Sequence, residues 1–117
     1  MTLPTSPEQK LRSLPAPARA AYQRFKDNGD PAALDEVIMA ILADFIPRAQ
    51  AGLLATATGE SRLIEDLGFD SLAITEVVFF TEDLFGISIG NQELVQIRTL
   101  DELRQFVRKK ISERPAA

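Results

Sequence analysis

The chain contains no cysteine and no histidine. The first absence excludes disulfides, thiolate nucleophiles and thiolate metal ligands. The second removes the commonest general base and the commonest metal-binding side chain. A catalytic centre would have to be assembled from carboxylates, lysines and hydroxyls alone, which argues against an enzyme. No apolar run approaches the roughly 20 residues that cross a bilayer as a helix. Met1 to Pro7 lacks the basic-then-apolar layout of a secretory leader. The expectation is therefore a cytoplasmic protein without a membrane span. What remains, 117 residues with 45% hydrophobic and 26% charged side chains, suits one globular domain with a modest core.

Charge is unevenly placed along this length. Residues 1–30 carry Lys10, Arg12, Arg19, Arg24 and Lys26 against Glu8, Asp27 and Asp30, a net of +2. Residues 60–102 carry ten acidic groups against Arg62 and Arg98, a net of −8. Such a stretch repels nucleic acid and favours partners with basic surfaces, although a solvated face would show the same composition.

Periodicity and punctuation predict an all-α fold. Residues 1–30 form an N-terminal extension broken by Pro4, Pro7, Pro15 and Pro17. Within it a short helix can start at Ser6-Pro7-Glu8, and a second can run from about Pro17 to Asp27 and stop at Asn28-Gly29. Tyr22 and Phe25 of the second are placed to dock on the main domain. Asp30-Pro31 is a cap followed by proline at the first helical position, and Leu34, Val37, Ile38, Ile41, Phe45 and Ile46 then trace one apolar stripe up to Pro47. A long connection, 47–62, holds a Leu53-Leu54 pair that can pin it to the core. A second principal helix opens at Asp70-Ser71 and stops at Gly86. On a helical wheel Ile74, Val77, Val78, Thr81 and Phe85 share one side, while Leu72, Glu76, Phe79 and Asp83 share the other. Ile87 and Ile89 alternate with small residues in a short extended piece. Asn91 can cap a short helix bearing Leu94, Val95 and Ile97. Thr99-Leu100-Asp101-Glu102 matches a capping box, after which Leu100, Leu103, Phe106, Val107 and Ile111 line one face. The tail from Ser112 is expected to fray. Three principal helices and one short one result.

Taken alone, Asp70-Ser71 is ordinary helix capping. The wider string Leu63-Ile64-Glu65-Asp66-Leu67-Gly68-Phe69-Asp70-Ser71-Leu72 closely resembles the modification motif of acyl carrier proteins. Glu82-Asp83-Leu84-Phe85-Gly86-Ile87-Ser88-Ile89 resembles the end of that family's second helix and the loop after it, and Ile97-Arg98-Thr99-Leu100 with Asp101 resembles the start of its last helix. The resemblance covers about residues 31–112 and implies a four-helix bundle, the carrier domain, with 1–30 as an addition and 113–117 as a tail. It further implies that a phosphopantetheinyl transferase joins 4′-phosphopantetheine from coenzyme A to Ser71, with Asp70 and Leu72 as motif neighbours, and that acyl groups travel as thioesters on the arm. The second helix would be the docking surface for acyl-transferring, condensing or acyl-activating enzymes with basic faces. Leu72, Glu76, Phe79, Glu82 and Asp83 would supply that surface. Ile74, Val78 and Thr81 would line an acyl pocket inside the bundle. Such a carrier would serve fatty-acid, polyketide or related lipid biosynthesis, and act as a monomer.

Three departures point to a specialised carrier rather than a housekeeping one: the 30-residue basic extension, a 47–62 loop somewhat longer than in compact members, and the bulky Phe79-Phe80 pair. A second reading keeps the fold as an unmodified docking module, with Ser71 only a cap; the intact Asp70-Ser71-Leu72 string favours the first. A third, metal or acid–base chemistry at Glu65, Asp66 and Asp70, is disfavoured because their spacing does not match a calcium loop. No metal site is expected.

Overall fold

The helix signals translate into a run of helices joined by capped turns. The computed structural model describes residues 7–113. These form α1 (Pro7–Arg12), α2 (Ala16–Asn28), α3 (Pro31–Phe45), a 3-10 turn (Arg48–Gln50) running into α4 (Ala51–Leu54), then α5 (Ser71–Phe85), α6 (Asn91–Leu94) and α7 (Leu100–Glu113). Among the described residues the one β-type contact is an isolated antiparallel bridge between Arg62 and Thr99. The expected all-α class and the three principal helices with a short fourth are observed as α3, α5, α7 and α6. Among the described residues no helix is long and apolar enough to cross a membrane.

The caps explain where these helices begin and end. Asp30 Oδ1 accepts the Ala32 N–H at 3.0 Å, with Pro31 in the first helical position. At α7, Thr99 Oγ1 accepts the Glu102 N–H at 3.1 Å and Glu102 Oε1 accepts the Thr99 N–H at 2.9 Å, closing the capping box in both directions. Helix α5 stops at Gly86, whose left-handed φ of 68° is inexpensive only for a residue without a Cβ. Helix α2 stops at Gly29, which donates its N–H to the Phe25 carbonyl at 2.8 Å.

Three expectations need correction. The 47–62 connection is partly helical, and only Leu54 of its leucine pair is buried while Leu53 stays exposed. Gly90, not Asn91, occupies the cap of α6; having no side chain to offer, it is served by Glu93 Oε1, which accepts its N–H at 3.0 Å. Ile87 and Ile89 lie in a non-helical piece between α5 and α6, where the Ile89 N–H donates to the Glu82 carboxylate at 2.7 Å. Ser112 and Glu113 are still helical, with the Ser112 hydroxyl donating to the Lys109 carbonyl at 2.9 Å. The Ser6 cap and the tail beyond 113 lie outside the described residues.

One apolar interior joins all the long helices. Leu34, Val37, Ile38 and Ile41 of α3 meet Val77, Phe80, Leu84 and Phe85 of α5 and Leu100, Leu103 and Val107 of α7 in a single cluster. Leu14, Ala18 and Ala21 from the N-terminal segment belong to the same cluster. As anticipated for Tyr22 and Phe25, their rings lie 5.9 and 6.2 Å from that of Phe85. This cover widens the buried surface of α5. Of the expected stripe Val77, Val78, Thr81 and Phe85 are buried and Ile74 is half-buried, and α5 also buries Ala73, Phe80 and Leu84. Ion pairs such as Arg108–Asp35 (2.6 Å) and Arg24–Glu36 (2.8 Å) tie α7 and α2 to α3. Exposed pairs of this kind contribute about 1 kcal/mol or less each, so apolar burial carries the fold.

Candidate functional site

The start of α5 is held by an anchored approach. Leu63, Leu67 and Phe69 are buried, so every second or fourth residue of this stretch plugs the core while Ile64, Glu65 and Asp66 face out. The Leu63 N–H donates to the Arg98 carbonyl at 2.9 Å and the Leu100 N–H to the Ser61 carbonyl at 3.0 Å. These bonds fasten the approach to the first turn of α7. The Phe69 N–H returns to the Leu63 carbonyl at 3.0 Å, closing the loop on itself. Gly68 has φ 77°, and a Cβ there would come within 2.6 Å of Gln50 Cγ. The backbone angle favours glycine, and any side chain there would also have to displace that of Gln50.

The chain then turns into the helix with Asp70 as its cap. Asp70 Oδ1 accepts the Ala73 N–H at 2.7 Å. Ser71 is the first helical residue and is exposed. The amides of Ser71 and Leu72 lie in the opening turn, where helix geometry supplies them no carbonyl. Together with the positive end of a fifteen-residue helix, they favour an anion beside the Ser71 hydroxyl.

A cleft of about 540 Å³ opens beside that hydroxyl. Helix α5 contributes Ser71, Ile74 and Thr75 to its lining, the approach contributes Arg62, Leu63, Ile64 and Glu65, and α6 with the turn after it contributes Leu94, Val95, Ile97 and Arg98. Of the three expected pocket residues, Ile74 is at this cleft. Val78 and Thr81 do not line it: both are buried, and the Thr81 hydroxyl donates to the Val77 carbonyl at 2.7 Å. The walls the wheel did not reveal come from Ile64 and from the α6 region. Their signal was present as the apolar pairs Leu63-Ile64 and Leu94-Val95 flanked by charged or polar residues, of which Ile64 and Val95 stay exposed.

The outward face of α5 carries the residues expected there. Leu72 is 66% and Phe79 59% exposed, and Glu76 between them is exposed as well. Glu82 and Asp83 are engaged within the chain, Glu82 by the Ile89 N–H and Asp83 by Lys10 Nζ at 3.8 Å. Glu65, Asp66 and Asp70 do not converge on a common point of chemistry. Asp70 caps α5, and Asp66 Oδ2 accepts the Arg62 N–H at 2.8 Å.

Three carboxyls around the site sit below their ordinary range. The Arg62 backbone N–H, reinforced by its guanidinium, lowers Asp66. Lys110 and the Gly90 N–H lower Glu93. The Thr99 and Arg98 amides, helped by the Thr99 side chain, lower Glu102. A carboxyl with a lowered folded pKa adds stability that is complete above its unfolded value and is lost as pH falls through the folded one. Thermal melts should therefore be flat from neutral down to about pH 5 and fall progressively below about pH 4. In Glu102→Gln the acid fall should be shallower.

The comparisons with known proteins agree with this geometry. The family model for the phosphopantetheine attachment site matches residues 36–107. The meromycolate extension acyl carrier protein of Mycolicibacterium smegmatis is 33% identical over 86 residues, 74% of this chain and 87% of its own. The protein of the same name from Mycobacterium leprae is 30% identical over 86 residues, 74% of this chain and 75% of its own. An acyl carrier protein of Solidesulfovibrio magneticus is 32% identical over 59 residues, 50% of this chain and 76% of its own.

Proposed function

The chain belongs to the phosphopantetheine-attachment family as an acyl carrier protein with a role in lipid biosynthesis, and on that premise we propose that Ser71 is the residue that holds its 4′-phosphopantetheine arm. The observation that carries this reading is the exposed Ser71 hydroxyl at the opening turn of α5, with a cleft of about 540 Å³ beside it. The site fits the group. The arm's phosphodiester would lie against the unpaired amides of the opening turn. The arm supplies the thiol on which acyl groups are held as thioesters.

The chain's own residues then position and shelter, and do no chemistry. Asp70 fixes the first turn, so the hydroxyl points away from the core. Ile74, Leu94 and Ile97, with Leu63, offer the apolar wall along which an acyl chain can lie next to its point of attachment. Leu72, Glu76 and Phe79 form the face that partner enzymes meet, an apolar pair with one carboxylate between them; basic partner surfaces complement it. A phosphopantetheinyl transferase loads the carrier, and acyl-transferring or condensing enzymes use it in the cytoplasm. The basic N-terminal segment sets it apart from a minimal carrier domain.

The test is intact mass after incubation with coenzyme A and a broad-specificity phosphopantetheinyl transferase, followed by peptide mapping. One phosphopantetheine should be gained, on the peptide containing Ser71. A folded chain whose mass does not change would favour the unmodified docking module. Modification at Thr75 or Ser61 would refute the assignment of the site.

A further inference from the structure

The outward face of α5 is used differently at its two ends. Near Ser71 it is open: Leu72, Glu76 and Phe79 follow at steps of four and three, which keeps them on one side of the helix over about 10 Å. Glu76 has no ion partner among the described residues, and both apolar side chains are more than half exposed. Toward the C-terminus the chain occupies its own acids. Glu82 accepts the Ile89 N–H at 2.7 Å and holds the turn after the helix. Asp83 faces Lys10 of α1 at 3.8 Å, and the same ammonium lies 5.1 Å from the centre of the Phe80 ring.

This contact differs from a casual surface pair. The Lys10 side chain is 25% exposed against 44% for Asp83, so the lysine is the more sheltered partner. It is attracted at once by a carboxylate and by a ring face. It is also delivered by a helix whose neighbour, Leu11, packs on the core, and the Leu14 that follows is fully part of that core. A basic group from another protein would meet at Asp83 a carboxylate whose charge is already offset by Lys10. At Glu76 it would meet no competitor.

We propose that α1 is a built-in occupant of the C-terminal half of the α5 face, so that partner enzymes grip this carrier through Leu72, Glu76 and Phe79 and make no use of Asp83. The matching partner surface is a small apolar socket with one basic side chain beside it, set close to the channel that receives the arm. This inference rests on the carrier reading and narrows its docking surface.

The test is the kinetics of Ser71 loading by a phosphopantetheinyl transferase on full-length chains whose melts match the wild type. Glu76→Gln should raise KM by about 5- to 10-fold with kcat nearly unchanged, an effect that fades with added salt. Asp83→Asn should change KM less than about 2-fold in the native background. In Lys10→Gln chains, where Asp83 is released, Asp83→Asn should raise KM by about 3-fold or more. Lys10→Arg should restore the native pattern. If Asp83→Asn acts as strongly as Glu76→Gln in the native chain, or equally with and without Lys10, α1 occupies nothing that partners need and the inference is overturned. A wild-type chain that takes no arm at all would overturn the carrier reading and this inference with it.

Discussion

Ser71→Ala abolishes loading: incubated with coenzyme A and a transferase, the variant should keep its unmodified mass while the wild type gains one phosphopantetheine. The fold should survive the change. Ser71 is exposed in the first turn of α5, and the cap is supplied by Asp70, whose carboxylate takes the Ala73 N–H. Loss of the serine hydroxyl removes no buried group, and alanine is the better helix former, so stability should change by no more than about 0.5 kcal/mol. Unchanged circular dichroism together with complete loss of loading separates attachment from architecture. Residual loading in Ser71→Ala would sink the assignment, since Thr75, the neighbouring hydroxyl at the cleft, already donates to the Ser71 carbonyl at 2.8 Å.

Phe69→Ala tests the opposite property. Phe69 is 1% exposed and lies two residues before Ser71, so it anchors the motif to the core. Removing a buried phenyl ring costs about 3–5 kcal/mol through lost burial and the cavity left behind. Domains of this size hold about 5–15 kcal/mol in total. The midpoint of thermal unfolding should fall by roughly 10–20 °C. Loading should suffer even at temperatures where the variant is folded, because the Phe69 N–H closes the approach loop onto Leu63 and the anchor no longer fixes where Asp70 and Ser71 emerge. A melt within 3 °C of wild type would mean the approach segment collapses around the cavity far better than its burial suggests.

The two variants show what kind of information each level holds. Local signals were legible in the residues because short-range chemistry decides them. Asp30-Pro31, Asp70-Ser71, Thr99 with Glu102, and the glycines at 29 and 86 mark helix ends by hydrogen bonds that reach four residues or fewer. The stripes of α3 and α7 followed from helical period in the same way. Even the exposure of Leu72 and Phe79 could be read from the wheel, because two apolar side chains fell opposite the core stripe among carboxylates.

Contacts between segments distant in sequence were not legible. Phe80 is buried between Phe45 of α3 and Lys10 of α1, and Tyr22 of α2 reaches the Leu84 carbonyl; no periodicity within α5 encodes those neighbours. The cleft walls at Ile64, Leu94, Val95 and Ile97 meet Ile74 through the clamp between Ser61–Leu63 and Arg98–Leu100, which no periodicity within α5 encodes, while Val78 and Thr81 face the interior. Lys10 looked like one basic residue in a basic stretch until the fold set it on Asp83. The sequence by itself determined where α3, α5 and α7 begin and the exposed capped start of α5 at Asp70-Ser71, all governed by bonds within a turn or two. Tertiary packing alone decided which faces of α5 stay open, because burial depends on what the rest of the chain brings against them.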